Sequence, residues 1–106
     1  MPKYIFIYRE PQAVDMSTIP EEEVAKVMEA WGEWLGTMGD KVVDQGDAFK
    51  AGGKSVGSDG VNETDNLTSG YTIIEADSFD EALAFAKDNP SVQDGSRVEV
   101  YEAFGL

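Results

Sequence analysis

At 106 residues the chain suits one domain, spanning residues 1–106, and buries roughly two thirds of its unfolded surface, which leaves no room for a second core. It contains neither Cys nor His, which excludes disulfides, thiolate metal sites, thiol nucleophiles and imidazole acid/base chemistry. Twenty-one acidic residues against eight basic ones give a net charge of −13, a field that repels phosphate backbones and anionic lipid heads and so argues against nucleic acid and membrane partners. With no charged-then-apolar leader and no apolar run of spanning length, the expectation is a soluble cytoplasmic protein.

Lys3 to Arg9 is rich in aromatic and β-branched residues and ends before Glu10-Pro11, which predicts a strand. Ile5 and Ile7 fall on one side and Tyr4, Phe6 and Tyr8 on the other, so neither face of the sheet should be freely solvated. Thr18-Ile19-Pro20-Glu21, followed by Glu22 and Glu23, reads as a helix start with negative charge at the positive end of the dipole. Val24, Val27, Met28, Trp31, Leu35 and Met38 then recur at helical spacing, with Trp34 at the edge of the stripe and Gly39 as the stop. The two Trp read as core rather than as a stacking platform. Lys41 to Phe49 predicts a second strand, with Val42 and Val43 at its centre and Gly46 as a bulge. Ala51 to Ser69 is full of Gly, Ser, Asn and Asp and reads as a long hairpin connection. Tyr71 to Ala76 predicts a third strand. Ser78 with Glu81 forms a capping box ahead of a helix striped by Phe79, Ala82, Leu83 and Ala86, which ends at Asn89-Pro90. Arg97 to Phe104 alternates as a last strand, with Val98 and Val100 on one face and Arg97, Glu99 and Tyr101 on the other.

The order strand, helix, strand, strand, helix, strand predicts an α+β fold, a ferredoxin-like βαββαβ sandwich whose four-stranded antiparallel sheet carries two helices on one face. One sheet face is then uncovered. With Tyr4, Phe6, Tyr8, Tyr71 and Ile73 assigned to it, that face would expose an apolar patch larger than monomers usually tolerate, and sheet-to-sheet homodimerisation is the expected remedy.

Lys3-Tyr4-Ile5-Phe6-Ile7-Tyr8, the acidic first helix, Val42-Val43-Asp44-Gln45-Gly46 and the run from Gly70-Tyr71-Thr72-Ile73-Ile74-Glu75 through Val100 resemble the YCII-related proteins over nearly the whole chain. Within that superfamily the chain is most similar to the DGPF-type branch. Asp59-Gly60 and Glu63-Thr64 match its hairpin-loop motif, whereas Val61 and Asn62 stand where Pro and Phe belong, and the loop is one residue short. The resemblance implies a ferredoxin-like dimer with a pocket between sheet faces or beside the hairpin loop. It also implies, for some members, a His and Asp acid/base pair, which a chain without His does not carry.

Gly52-Gly53-Lys54-Ser55 shares the end of a phosphate-binding loop, but Ala48 replaces its first Gly and no helix follows, so no nucleotide site is expected. The sequons at Asn62 and Asn66 read as turn residues. Asp44 with Asp47, and Asp77 with Asp80, carry no metal or glycosidase spacing, and neither metal nor cofactor is expected. A more informative set is Tyr8, Glu75, Arg97 and Tyr101. If they share a face, they combine a cation, a carboxylate and phenols in an apolar interface, as a small-molecule site or as a polar network at a dimer seam built on an Arg97 pairing with Glu75 or Glu99. The expected function is accordingly a small dimeric domain that binds a small molecule at the sheet or dimer interface, or an assembly module. The alternative is a cofactor-free enzyme using Glu75, Tyr8 and Arg97, in which Glu75 is the general base, its pKa raised by desolvation, and Arg97 stabilises developing negative charge.

Overall fold

The computed structural model describes residues 1–13, 16–93 and 95–105. Strand β1 (Lys3–Arg9) leads through a short 3-10 turn (Met16–Thr18) into helix α1 (Glu21–Met38). Strands β2 (Val42–Ala48), β3 (Lys54–Gly57), β4 (Gly60–Glu63) and β5 (Thr68–Glu75) follow, then helices α2 (Phe79–Lys87) and α3 (Pro90–Gln93) and strand β6 (Arg97–Glu102). The main sheet has the order β2-β5-β1-β6, every pair antiparallel, which is the ferredoxin-like arrangement expected from the sequence. The stretch expected as an unstructured hairpin connection differs: β3 and β4 form a separate two-stranded ribbon, paired from Lys54↔Glu63 to Gly57↔Gly60.

The molecule measures 41 × 39 × 20 Å, a thickness of one sheet and one helical layer. Between the layers lie Tyr4, Phe6, Tyr8, Trp34, Met38, Ile74, Ala76, Ala82 and Ala86, all buried. Tyr4, Phe6 and Tyr8 therefore face the helices, contrary to the expectation that placed them on the uncovered side. The reason is aromatic packing: Tyr4 meets Phe79 edge-on at 5.6 Å, Phe6 lies 6.0 Å from Trp34, and Tyr8 meets Trp31 edge-on at 4.8 Å. Apolar residues on both sides of β1 leave its alternation ambiguous, and the indoles of α1 decide it. Trp34, expected at the edge of its stripe, is with Met38 one of the two buried residues of α1, because its indole Nε1 donates to the Phe85 carbonyl at 2.9 Å and ties α1 to α2. Val27 and Met28, expected in the buried stripe, are exposed.

Ser78 caps α2 as expected, its Oγ accepting from the Glu81 N–H at 3.1 Å. Glu81 turns back to accept from the Asp77 N–H and pairs with Lys41 at 2.5 Å, which joins α2 to the turn before β2. Those contacts hold the Glu81 carboxyl below its ordinary value of 4.5, Lys41 foremost, and raise the Lys41 ammonium above its ordinary 10.5. A depressed carboxyl stabilises the fold above its unfolded pKa and loses that effect as pH falls through the folded one. A raised ammonium does so below its unfolded pKa.

β2 is irregular. Its register to β5 slips twice between Val42 and Asp47, and Gly46 sits at φ +78° with the Tyr71 carbonyl so close that an added Cβ would lie 1.6 Å from its oxygen. The expected bulge at Gly46 is present, and only Gly fits it. Gly46→Ala is expected to cost at least about 2 kcal/mol from backbone strain and collision, whereas Gly36→Ala in α1, with open space around its Cβ, should gain about 0.5–1 kcal/mol, both read from urea unfolding midpoints. The stability difference between wild type and Glu81→Gln should stay constant between about pH 4.5 and pH 10 and shrink as the solution is acidified further.

Candidate functional site: the open sheet face

Residues opposite one another on neighbouring antiparallel strands share a face, so the register defines the uncovered side. Counted along β1, its rows are Lys3 with Glu75, then Ile5 with Ile73, Tyr101 and Asp44, then Ile7 with Tyr71, Glu99 and Asp47, and finally Arg9 with Thr68 and Arg97. The centre is apolar: Ile5, Ile7, Tyr71 and Ile73 are half-buried, while Tyr101 stays exposed. Charge collects at the ends and edges.

At one end stand both arginines of the chain, directly opposite each other. Arg9 is held firmly. Its Nη1 donates to Thr68 Oγ1 at 2.6 Å and to Asp65 Oδ1 at 3.4 Å, and its Nη2 to Asp65 Oδ2 at 2.9 Å. This fork holds the Asp65 carboxyl below its ordinary value, with the Leu67 N–H as a second donor, and raises Arg9, toward which Glu99 and Tyr101 also contribute. Arg97, by contrast, is exposed and makes no hydrogen bond or ion pair among the described residues. Tyr101 donates weakly to Glu99 at 3.4 Å.

Asp65 and Thr68 also line a cleft of about 270 Å³ at the foot of the ribbon, together with Phe49, Lys50, Gly53, Thr64 and Asn66. Asn66 shapes it: at φ 58°, its Oδ1 accepts from the N–H groups of Gly52 and Gly53 at 3.1 and 3.2 Å. Phe49 stacks on Tyr71 with ring centroids 6.0 Å apart, and Tyr71 donates to Asp44 at 3.0 Å, a contact that raises its phenol pKa. The cleft thus adjoins the arginine end of the open face. A larger hollow of about 370 Å³ lies between the chain termini, lined by Met1, Pro2, Lys3 and 102–105, away from these groups.

Of the four residues singled out in the sequence, Glu75, Arg97 and Tyr101 share the open face and Tyr8 does not. Tyr8 points into the helical side, donates to Thr72 Oγ1 at 2.6 Å, and burial pushes its phenol well above its ordinary pKa. Thr72 in turn donates to the Gln45 carbonyl at 3.1 Å. Glu75 and Arg97 do not meet within one chain either. They stand at opposite ends of the face, six residues apart along β1, or roughly 20 Å, and Glu75 faces Lys3 instead. Glu99 likewise lies opposite Ile7, one row from Arg97. Sequence reasoning missed Arg9, although Arg9 continues the alternation of Ile5 and Ile7. Asp65 and Thr68 could be found only through the fold, because they reach Arg9 from across more than fifty residues.

No helix is long and apolar enough to cross a membrane, and no group of three or more acidic residues suited to a metal ion occurs among the described residues. The YCII-related domain model matches residues 1–104. None of the curated proteins matches the sequence. Among solved structures, a similar one is the 5-chloro-2-hydroxyhydroquinone dehydrochlorinase of Burkholderia phenoliruptrix in complex with 2,5-dihydroxybenzoquinone, at a TM-score of 0.57 and 16% identity, covering 93% of this chain and 90% of that one. At that identity the likeness supports the fold.

The placement of Tyr8 and Arg97 yields opposite expectations for two variants. Tyr8→Phe should cost about 1 kcal/mol by removing a buried hydrogen bond, whereas Arg97→Gln should change stability by less than about 0.5 kcal/mol, both by chemical denaturation.

Proposed function

The chain belongs to the YCII-related domain family, and we propose that it is a small-molecule-binding domain closed into a homodimer through its open sheet face. The observation that carries this reading is the uncovered row of Ile5, Ile7, Tyr71, Ile73 and Tyr101, rimmed by charge and continuous with the cleft beside Arg9. A four-stranded sheet with an apolar centre needs a second layer. The cleft, about 270 Å³ before any partner closes it, suits a ligand smaller than the usual drug-sized molecule. The dehydrochlorinase of similar fold was solved with a compound of that small size class.

The enzymatic alternative takes a particular form. With Glu75 and Arg97 at opposite ends of the face, a carboxylate base and a guanidinium could act on one substrate only if the two came from different copies across the sheet-to-sheet contact. An assembly module without a ligand would need the interface and not the cleft.

Sedimentation equilibrium should give twice the 11.5 kDa chain mass, and Ile73→Glu should give folded monomer by circular dichroism. A wild-type monomer at every concentration overturns the dimer. A thermal-shift screen against small metabolites should return a concentration-dependent stabiliser whose effect is lost on Phe49→Ala, and a library without effect leaves the assembly role in its place.

A further inference from the structure

We propose that Arg9 and Arg97 form a receptor for the carboxylate of a small, flat organic anion, an inference that rests on ligand binding at the open face and names the ligand class. Like charges directly opposite on neighbouring strands are unfavourable. Here they are the only two arginines of the chain, and of its 21 carboxylates Asp65 pairs with Arg9 while none pairs with Arg97 among the described residues. Arg9 is already bound in a fork by Asp65 and fixed by Thr68, so its plane is set and its remaining N–H groups need no further ordering. Arg97 stands opposite with all five donors free among the described residues. A carboxylate beside them receives from Arg97 the paired N–H geometry that guanidinium supplies and ammonium does not.

The flat apolar part follows from the neighbouring row, where Ile7 and Tyr71 stand beside the arginines and Phe49 stacks on Tyr71. The whole-chain charge of −13 opposes polyanions, so the ligand is a single small anion rather than a nucleic acid or a polyphosphate. Glu99 works against it. It lies diagonal to Arg9 and raises the Arg9 pKa, competing for the same positive charge.

Benzoate and its neutral counterpart benzamide, titrated into the full chain and followed by backbone amide NMR, test the proposal. Benzoate is expected to shift the amides of Ile7, Arg9, Tyr71 and Arg97 saturably, and benzamide to bind at least roughly tenfold more weakly. Arg97→Gln should bring benzoate down to the benzamide level, Arg97→Lys should recover only part of the loss, and Glu99→Gln should tighten benzoate. Added salt should weaken benzoate and leave benzamide unchanged. Equal binding of the two probes, or benzoate binding indifferent to Arg97→Gln, overturns the anion receptor while ligand binding at the face stands. Absence of both probes from these amides also overturns it, and the metabolite screen then decides separately whether the face binds any small molecule.

Discussion

Trp34 sets the architecture on which everything else depends. Its indole N–H reaches the Phe85 carbonyl, its ring lies against Phe6, and Trp31 meets it edge-on at 5.5 Å, so one side chain fixes α1 to α2 and both helices to β1. Once Phe6 is turned inward, strand alternation leaves no freedom: Tyr4 and Tyr8 follow it inward, and Ile5, Ile7 and Arg9 must face out. The open face is thus a consequence of packing on the opposite side of the sheet. Such a seam concentrates energy, since truncating a buried Trp typically removes about 3–5 kcal/mol.

The second constraint is the bulge in β2. Thr72 receives the Tyr8 hydroxyl and donates to the Gln45 carbonyl, a chain of hydrogen bonds that runs from the interior beneath Trp31 to the edge strand. It satisfies a buried phenol, a buried hydroxyl and a carbonyl that the register slip removes from the regular ladder. At the same place Gly46 lets the backbone approach Tyr71, and Asp44 accepts from both the Gly46 N–H and the Tyr71 hydroxyl. Tyr71 is therefore held at its hydroxyl by the bulge and at its ring by Phe49, so the apolar floor beside the arginines is ordered before any ligand arrives.

The element order, the antiparallel sheet, the Ser78 cap and the Gly46 bulge were legible in the sequence because each depends on local chemistry: periodicity, a hydroxyl before a helix, a Gly in a strand. The choice of sheet face was not. β1 is apolar on both sides, and only the indoles of α1, at Trp31 and Trp34 well along the chain, decide which side is core. The ribbon of β3 and β4 was obscured because Lys54-Ser55-Val56-Gly57 and Gly60-Val61-Asn62-Glu63 bury nothing: Val56 and Val61 pair across it and both remain exposed. Strand parity puts Glu75, Arg97 and Tyr101 on one face and Tyr8 on the other, but parity carries no information about position along the strands, and position separates Glu75 from Arg97.

A net charge of −13 opposes the meeting of two copies, yet the charge is not spread evenly. Glu21, Glu22, Glu23, Glu29 and Glu33 lie on α1, in the helical layer of a molecule 20 Å thick. The open face instead carries Lys3, Arg9 and Arg97 among Asp44, Asp47, Glu75 and Glu99, with an uncharged centre. At physiological ionic strength, exposed charges farther apart than about 8 Å are largely screened from one another, so the acidic helices of two copies joined by their sheets would contribute little repulsion. What remains is local: a nearly balanced rim in which Asp65 answers Arg9, while Arg97 has no ion pair among the described residues. An anion accepted at Arg97 would be balanced locally, while the face as a whole, already one charge negative, would offer it no general attraction.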